Sequence, residues 1–332
     1  MKIPESTAQT IRSTVERYGL LEAGQRVAVA FSGGKDSIGL SLCLRELGYE
    51  VYPVSIDMGY EEGWGQRIVR LGKSINLDVH VVEVRSAAAG LIPGPEYKKI
   101  QLRLEVLNTI SADKPGKLTP CTHCYNSKVI ALDNAVRAAD CSQVAFAHHL
   151  TDSCASLLKE SLLRIDRHSR GHTRYDRANF EMLIDDLTKE AVEFSGKPGP
   201  VLAQIEQLVQ SGQVDTDEPP RQPLRTDRAG VEIVRPLFSV WEEELTRLTS
   251  AAGVTPEGSG CGHGATLNTQ TPREMVHHRI LRDASPNFRD FLAGLVESSL
   301  TSEGHAPRRA RYRRVEDLGE EYRTAPPVSD KL

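Results

Sequence analysis

The stretch Phe31-Ser-Gly-Gly-Lys-Asp-Ser37 narrows what this chain can fold into more than any other. The apolar, β-branched run Arg26-Val-Ala-Val-Ala-Phe31 leads into it, and an amphipathic stretch over 38–47 leads out. That pattern predicts a buried strand, a glycine-rich turn and a helix. Such a turn presents backbone N–H groups at a helix N-terminus, where they and the helix dipole attract anions. Gly33 and Gly34 let the backbone come close to a ligand. Ser32 and Ser37 offer hydroxyl donors to phosphate oxygens, and Lys35 adds a positive charge. Asp36 supplies a carboxylate able to orient a magnesium ion or a bound water.

The spacing differs from Walker A, which places four residues between its first glycine and its Gly-Lys-Ser/Thr. Ser32-Gly-Gly-Lys-Asp-Ser37 after a strand resembles the loop of the PP-loop ATP pyrophosphatases. The resemblance implies cleavage of ATP between the α and β phosphates and adenylation of a substrate oxygen.

The strand and helix signals continue in alternation. Val51-Tyr-Pro-Val-Ser-Ile-Asp57 reads as a second strand, a helix follows over 63–75, and Asp78-Val-His-Val-Val-Glu-Val84 reads as a third strand. This alternation implies parallel pairing with right-handed crossovers. Asp57 ends its strand at the edge where open α/β sheets bind ligands, and two roles suit it: a partner at the adenosine end of a nucleotide, or a strand-end cap. Residues 86–97 read as a loop and 98–111 as a helix. Cys121-Thr-His-Cys124 then comes directly before a helix over 126–139. Gln143-Val-Ala-Phe-Ala147 reads as a fourth strand, followed by His148-His149-Leu-Thr-Asp152 and a helix over 153–164. His148 and His149 suit either a nucleotide site or a buried, satisfied position.

From 166 to 230 the texture turns basic and polar. Two helical pieces, 177–194 and 200–210, precede a polar, proline-containing loop over 211–228. Val231-Glu-Ile-Val234 resumes a strand, and a helix with glutamates at its start runs to Ala252, as the dipole favours. Thr271-Pro-Arg-Glu274 reads as a capping box opening a helix to about residue 283, and another helix covers 287–300. The domain expectation is therefore a PP-loop ATP-binding domain with the Cys-x-x-Cys over 1–165 and a helical and loop insertion over 166–230. The remainder of the catalytic domain, with the third cysteine, spans 231–300, and a polar tail 301–332.

Composition excludes some classes. The 332 residues and 39% hydrophobic content suit a globular core, and no apolar run reaches membrane-spanning length. The first residues show no apolar signal region, so the expected location is the cytoplasm. A net charge of −4 points away from a protein whose main task is gripping nucleic acid, although a local basic patch can serve. Arg164, Arg167, Arg170 and Arg174 are candidate phosphate contacts, or a solvated basic loop.

Six cysteines in such a chain are free thiols, metal ligands or catalytic groups rather than a disulfide framework. Cys43 and Cys141 read as packing residues, and Cys154 as helix packing close to the site. Cys121 and Cys124 have metal-ligand or redox spacing, and Cys261 lies in the glycine-rich Gly258-Ser-Gly-Cys-Gly-His-Gly264. Three thiolates can hold a [4Fe–4S] cluster with one iron open to another ligand. With His123 or His263 they can instead hold structural zinc, and Cys-x-x-Cys alone can be a redox or persulfide pair. Spacing alone puts zinc slightly ahead of iron–sulfur.

Four segments together, Ser32–Ser37, Cys121–Cys124, Ala147–Asp152 and Val234-Arg-Pro-Leu237 leading to Cys261-Gly262, resemble the tRNA 2-thiocytidine synthetase family. The similarity covers roughly 10–165 and 230–300. It implies an α/β fold of the adenine nucleotide α-hydrolase-like type, a parallel sheet with helices on both faces. It implies an ATP- and iron–sulfur-dependent sulfurtransferase that adenylates a base carbonyl in tRNA and replaces its oxygen by sulfur. On that basis Cys121, Cys124 and Cys261 hold the cluster, with zinc the alternative. Ser32, Gly33, Gly34, Lys35, Asp36, Ser37, Asp57 and His148 bind ATP and Mg2+, and Lys35, Asp36, Lys128 and Asp152 act in catalysis, with Asp36 and Asp152 expected to bind or position the magnesium. Lys128 stands where the family often has arginine. A sulfur donor (sulfide, or the persulfide of a cysteine desulfurase) and a homodimer are further implications. The chain also departs from the family. Where Gly-His-His-Arg-Asp-Asp is typical it has Ala147-His-His-Leu-Thr-Asp152, so a carboxylate and a basic residue are missing. The same chemistry on a small molecule or another nucleic acid, and a zinc-stabilised nucleotide-binding protein, are the competing readings.

Overall fold

The protein is described from a computed structural model. It describes residues 3–59, 61–84, 120–170, 177–214, 225–228, 231–257 and 272–301; for 120–127, 167–170, 225–228, 300 and 301 the description is of backbone alone. Among the described residues, six strands form one sheet: β1 (Arg26–Ala30), β2 (Glu50–Asp57), β3 (His80–Glu83), β4 (Gln143–Ala145), β5 (Arg225–Arg228) and β6 (Val231–Val234). Their order is β3-β2-β1-β4-β6-β5. All neighbouring pairs are parallel except β5 with β6. The expected α/β parallel-sheet fold is what the chain adopts.

Strand alternation gives the sheet two buried faces. Val27 and Val29 of β1 and Val234 of β6 point into one core with α1 (Glu5–Tyr18), α2 (Lys35–Glu46) and α3 (Trp64–Ser74). Ala28, Val54, Val144 and Ile233 point the other way, onto Leu132 and Val136 of α4 (Pro120–Ala138). The larger core continues into α5 (Leu150–Arg170), α6 (Arg177–Val192), α7 (Pro200–Gln210), α8 (Glu242–Ala251), α9 (Pro272–Val276) and α10 (Pro286–Thr301). A single π-helical turn, His277–Leu281, extends α9.

Four expectations change. The Cys-x-x-Cys does not precede its helix: α4 begins at Pro120, so Cys121 and Cys124 belong to its first turns. Pro120 reads as turn chemistry, yet proline is also favoured at the first helical position, where its missing N–H is not needed. The helix after the fourth strand is longer than 153–164, running over Leu150–Arg170, because its polar-looking end is buried through Asp166. The polar 211–228 stretch contains β5, an edge strand held by backbone pairing to β6. An edge strand needs no apolar pattern, and charged residues keep it from pairing further. The helix predicted from the capping box to about 283 is a short α-helix followed by the π turn. The helix expected over 98–111 lies outside the described residues. So do Cys261, Thr271 and the tail beyond 301.

The described helices within 166–230 share the main core. Phe180, Ile184, Leu187, Leu202 and Ile205 of α6 and α7 are 0% exposed and belong to the same cluster as Leu158 and Leu162 of α5. The expected boundary between 165 and 166 falls inside α5. Among the described residues, no helix is long and apolar enough to cross a membrane.

Candidate active site

The sheet order reverses direction at β1, which has β2 on one side and β4 on the other. Open α/β sheets bind ligands at that switch point, outside the carboxyl ends of the strands. Phe31–Ser37 leaves β1 there. The Phe31 N–H donates to the Val54 carbonyl at 2.8 Å, extending the β1–β2 pairing by one residue. Gly33 then takes φ 76°, and a Cβ at this position would stand 2.4 Å from Ile68 Cδ1. Glycine is therefore needed both for the left-handed backbone and for the close approach of α3. Gly34 occupies the N-cap of α2 with no side chain to satisfy the first-turn N–H groups, so these stay available to an anion. Ser37 Oγ donates to the Gly34 carbonyl at 2.9 Å and lies 3.3 Å from Ser32 Oγ, which fixes both hydroxyls over the turn.

Beside the loop lies a cavity of about 250 Å3. Its walls come from the ends of β1 and β2, from Phe146 after β4, and from Lys128, Val129 and Leu132 of α4. Ser32 and Asp57 also line it. Asp57 is engaged as a cap: its carboxylate accepts the Gly59 N–H at 2.8 Å and the Gly65 N–H at 3.2 Å. Mostly apolar walls with a few polar groups are what a planar base requires.

On the other side of the loop the charged residues meet. Lys35 Nζ donates to Asp36 Oδ1 at 2.9 Å and to Glu242 Oε1 at 2.6 Å. The second Glu242 oxygen is 2.6 Å from His277 Nε2. His149, 4% exposed, places Nε2 3.6 Å from Asp36 and 3.5 Å from Asp152. Asp152 also accepts the His149 backbone N–H at 3.2 Å, capping α5, and pairs with Arg273. His277 holds Glu242 strongly in its charged form, against the cost of burial and with help from Lys35. The same hydrogen bond raises the pKa of His277. Burial works against the charge on Lys35, but Glu242 and Asp36 outweigh it and its pKa rises. His148 is different. Burial, reinforced by Arg235, lowers its pKa to about 4, so it is neutral near pH 7.

Of the residues singled out from the sequence, Ser32 to Ser37, Asp152 and His149 come together at one end of the sheet. Lys128 and Asp57 line the adjoining cavity. His148 packs against Phe146, their ring centroids 5.8 Å apart. Cys154 is fully buried and its thiol pKa is raised by burial. Arg164 is half-buried; the backbone alone is described for Arg167 and Arg170, and Arg174 lies outside the described residues.

Sequence reading missed Glu242, Arg273 and His277. Glu242 reads only as one of three acidic residues favoured at a helix start, and Arg273 only as part of a capping box. The available signal was the i, i+4 spacing of Arg273 and His277, which puts two cations on one face of a helix. These residues bring a carboxylate and basic groups beside the His148–Asp152 segment. Thr151, where a carboxylate is typical, accepts the Glu242 N–H at 3.0 Å and so seats the Glu242 carboxylate at the loop. Arg273 brings the basic group.

The ligand oxygens and nitrogen of Asp36, Glu242 and His149 lie within 4.8 Å of one another, close enough to share one cation. Two carboxylates at this spacing suit the oxygen preference of Mg2+. The backbone places positions 121 and 124 about one turn apart on α4, at the end where the helix dipole favours thiolate. Four residues before Cys261 in the sequence, the chain is anchored on the loop itself. The Glu257 N–H donates to the Gly33 carbonyl at 2.9 Å, and its carboxylate is 3.3 Å from Arg67 Nε.

No family profile matches the chain. It is 26% identical over 296 residues to the tRNA-5-methyluridine(54) 2-sulfurtransferase of Pyrococcus horikoshii, a match covering 86% of this chain and 72% of that protein. It is 27% identical over 167 residues to the tRNA-cytidine(32) 2-sulfurtransferase of Anaeromyxobacter dehalogenans, covering 48% of this chain and 49% of that one. Among solved structures, the U34-tRNA thiolase NcsA from Methanococcus maripaludis with its [4Fe–4S] cluster shares the fold. The TM-score is 0.51 and the identity 16%, over 91% of this chain and 80% of that one. With its Ser32–Ser37 loop at the switch point of a parallel sheet, this chain has the fold of that thiolase and is similar in sequence to the tRNA 2-sulfurtransferases.

Proposed function

We propose that the protein is an ATP-dependent sulfurtransferase that replaces a carbonyl oxygen by sulfur in a tRNA base. One observation carries the reading: the Ser32–Ser37 loop opens its helix N-terminus beside an apolar cavity at the sheet's switch point. That arrangement suits a nucleotide whose base enters the cavity and whose phosphates face the loop. The names of the sequence relatives supply the tRNA and the sulfur.

A ring carbonyl oxygen is a poor leaving group, and transfer of AMP to it makes a good one. Pyrophosphate departs from the α-phosphorus as the carbonyl oxygen attacks. The first-turn N–H groups of α2 and Lys35 stabilise the charge that develops on the departing oxygen. Asp36 and Glu242 are the carboxylates that would hold Mg2+, which when bound would supply further charge stabilisation. A sulfur nucleophile then adds to the activated carbon, and AMP leaves with the original oxygen. Cys121, Cys124 and Cys261 are the residues that would hold a [4Fe–4S] cluster, which when bound supplies an iron open to the incoming sulfur. His148, held neutral near pH 7 by burial, can accept or donate a hydrogen bond beside Phe146 without bringing charge to that wall of the cavity.

The test is mass spectrometry of thionucleosides in total tRNA from cells with and without the gene, and with Cys261→Ala restored. One thionucleoside should vanish, return with the wild type and stay absent with the variant. The purified protein should contain iron and acid-labile sulfide. An unchanged thionucleoside profile would remove tRNA as substrate. Zinc in place of iron and sulfide would support the nucleotide-binding reading instead.

A further inference from the structure

Among the described residues, the side chains that meet on the Lys35 side of the loop balance in charge. Lys35, Arg273 and His277 face Asp36, Asp152 and Glu242, and each cation has an anion in contact. His149 is the remaining titratable group between the two aspartates. A site that must collect a triphosphate would ordinarily show excess positive charge. Here the lysine of the loop is instead held by two carboxylates, and the tighter contact, 2.6 Å, comes from Glu242 on a distant helix.

Glu242 is itself firmly placed. Thr151 fixes its backbone, and the next residue, Glu243, is 2.7 Å from Arg289, whose guanidinium stacks on Trp241. Its two oxygens are divided, one on Lys35 and one on His277. His277 stands at the start of the π turn, a form of helix that often marks functional positions. A carboxylate divided between two cations can release one and keep the other. Neither group is then left bare, which would be costly in a half-buried setting.

We infer that Glu242 is a displaceable counter-ion for the PP-loop lysine: it occupies Lys35 until a triphosphate and a divalent cation arrive together. The phosphates then take Lys35, and Glu242 is retained by His277 with its freed oxygen available to the cation. Glu242 in this role is a positioning residue that acts through Lys35. The inference rests on the ATP reading above and deepens it. It makes the loop reluctant to bind phosphate without metal, because Glu242 competes for Lys35. It also gives His277 a purpose: by drawing on the second oxygen, it weakens the hold on the lysine.

The experiment is calorimetric titration of the full-length protein with α,β-methylene ATP, with Mg2+ and with EDTA. This analogue cannot be cleaved between its α and β phosphates, so the readout is affinity alone. The wild type should bind well with Mg2+ and at least about tenfold more weakly without it. Glu242→Gln keeps the size of the side chain and removes its charge; it should tighten metal-free binding about fivefold and narrow the gap between the two conditions. His277→Gln leaves the whole carboxylate charge to Lys35 and should weaken metal-free binding by a similar factor. Opposite signs from the two variants are the expected signature, since a merely structural loss would weaken both. If Glu242→Gln binds the metal-free analogue no better than wild type, the inference is overturned while the ATP reading stands. If the wild type does not bind the analogue even with Mg2+, the ATP reading fails and the inference falls with it.

Discussion

Cys43 and Cys154 are both 0% exposed, one on α2 and the other on α5. Burial pushes the Cys43 thiol up to about 12 and raises that of Cys154, because a thiolate has no solvation in the core. They are packing residues, and native protein treated with iodoacetamide near about pH 8 should leave both unmodified. Peptide mass spectrometry should find them alkylated only after unfolding. Modification of Cys154 in the folded protein would mean that α5 opens locally. At this scale the loop was legible: Ser32, Gly33, Lys35, Asp36 and Ser37 have an order whose chemistry can be stated without a structure. Asp57 was less so. Its position at a strand end suits two roles, and only the contacts with Gly59 and Gly65 show it capping, while it still faces the cavity.

Helices decide which side chains reach the loop. α5 begins beside α8, where the Leu150 N–H donates to the Val240 carbonyl at 2.9 Å and Thr151 accepts from Glu242. The hydroxyl of Thr151 satisfies one of the N–H groups that α8 cannot satisfy internally. Thr151→Val, which keeps the shape and removes the acceptor, should cost about 1–2 kcal/mol in urea unfolding, as the N–H loses its partner in a part-buried setting. Thr151→Ser should restore most of that loss. Equal stability of all three proteins would show the cap to be unimportant. From sequence, Thr151 is a missing carboxylate; in the structure, its hydroxyl seats another one. The start of α4 illustrates the same limit, since Pro120 reads equally as the end of a turn or the first residue of a helix.

For the whole molecule, the informative region is 166–230. Its polar ends read as an insertion, yet α6 and α7 bury Phe180, Ile184, Leu187, Leu202 and Ile205 in the core that contains α5. Deleting 177–210 would expose the apolar face of α5 and forfeit roughly 1.5–3 kcal/mol for each large side chain removed from the core. The truncated protein should lose its cooperative unfolding transition by circular dichroism. A deletion variant that still unfolds cooperatively would make this segment a separable subdomain. The sequence alone determined the strand–loop–helix unit, the parallel α/β plan and the residue order of the loop. These follow from local periodicity and from residue types whose roles need only near neighbours. The tertiary structure decided which charges meet that loop. Lys35 and Glu242 are far apart in the chain, as are Asp152 and Arg273. Contacts of that separation depend on how α5, α8 and α9 pack, and nothing in the local pattern of any one of them records it.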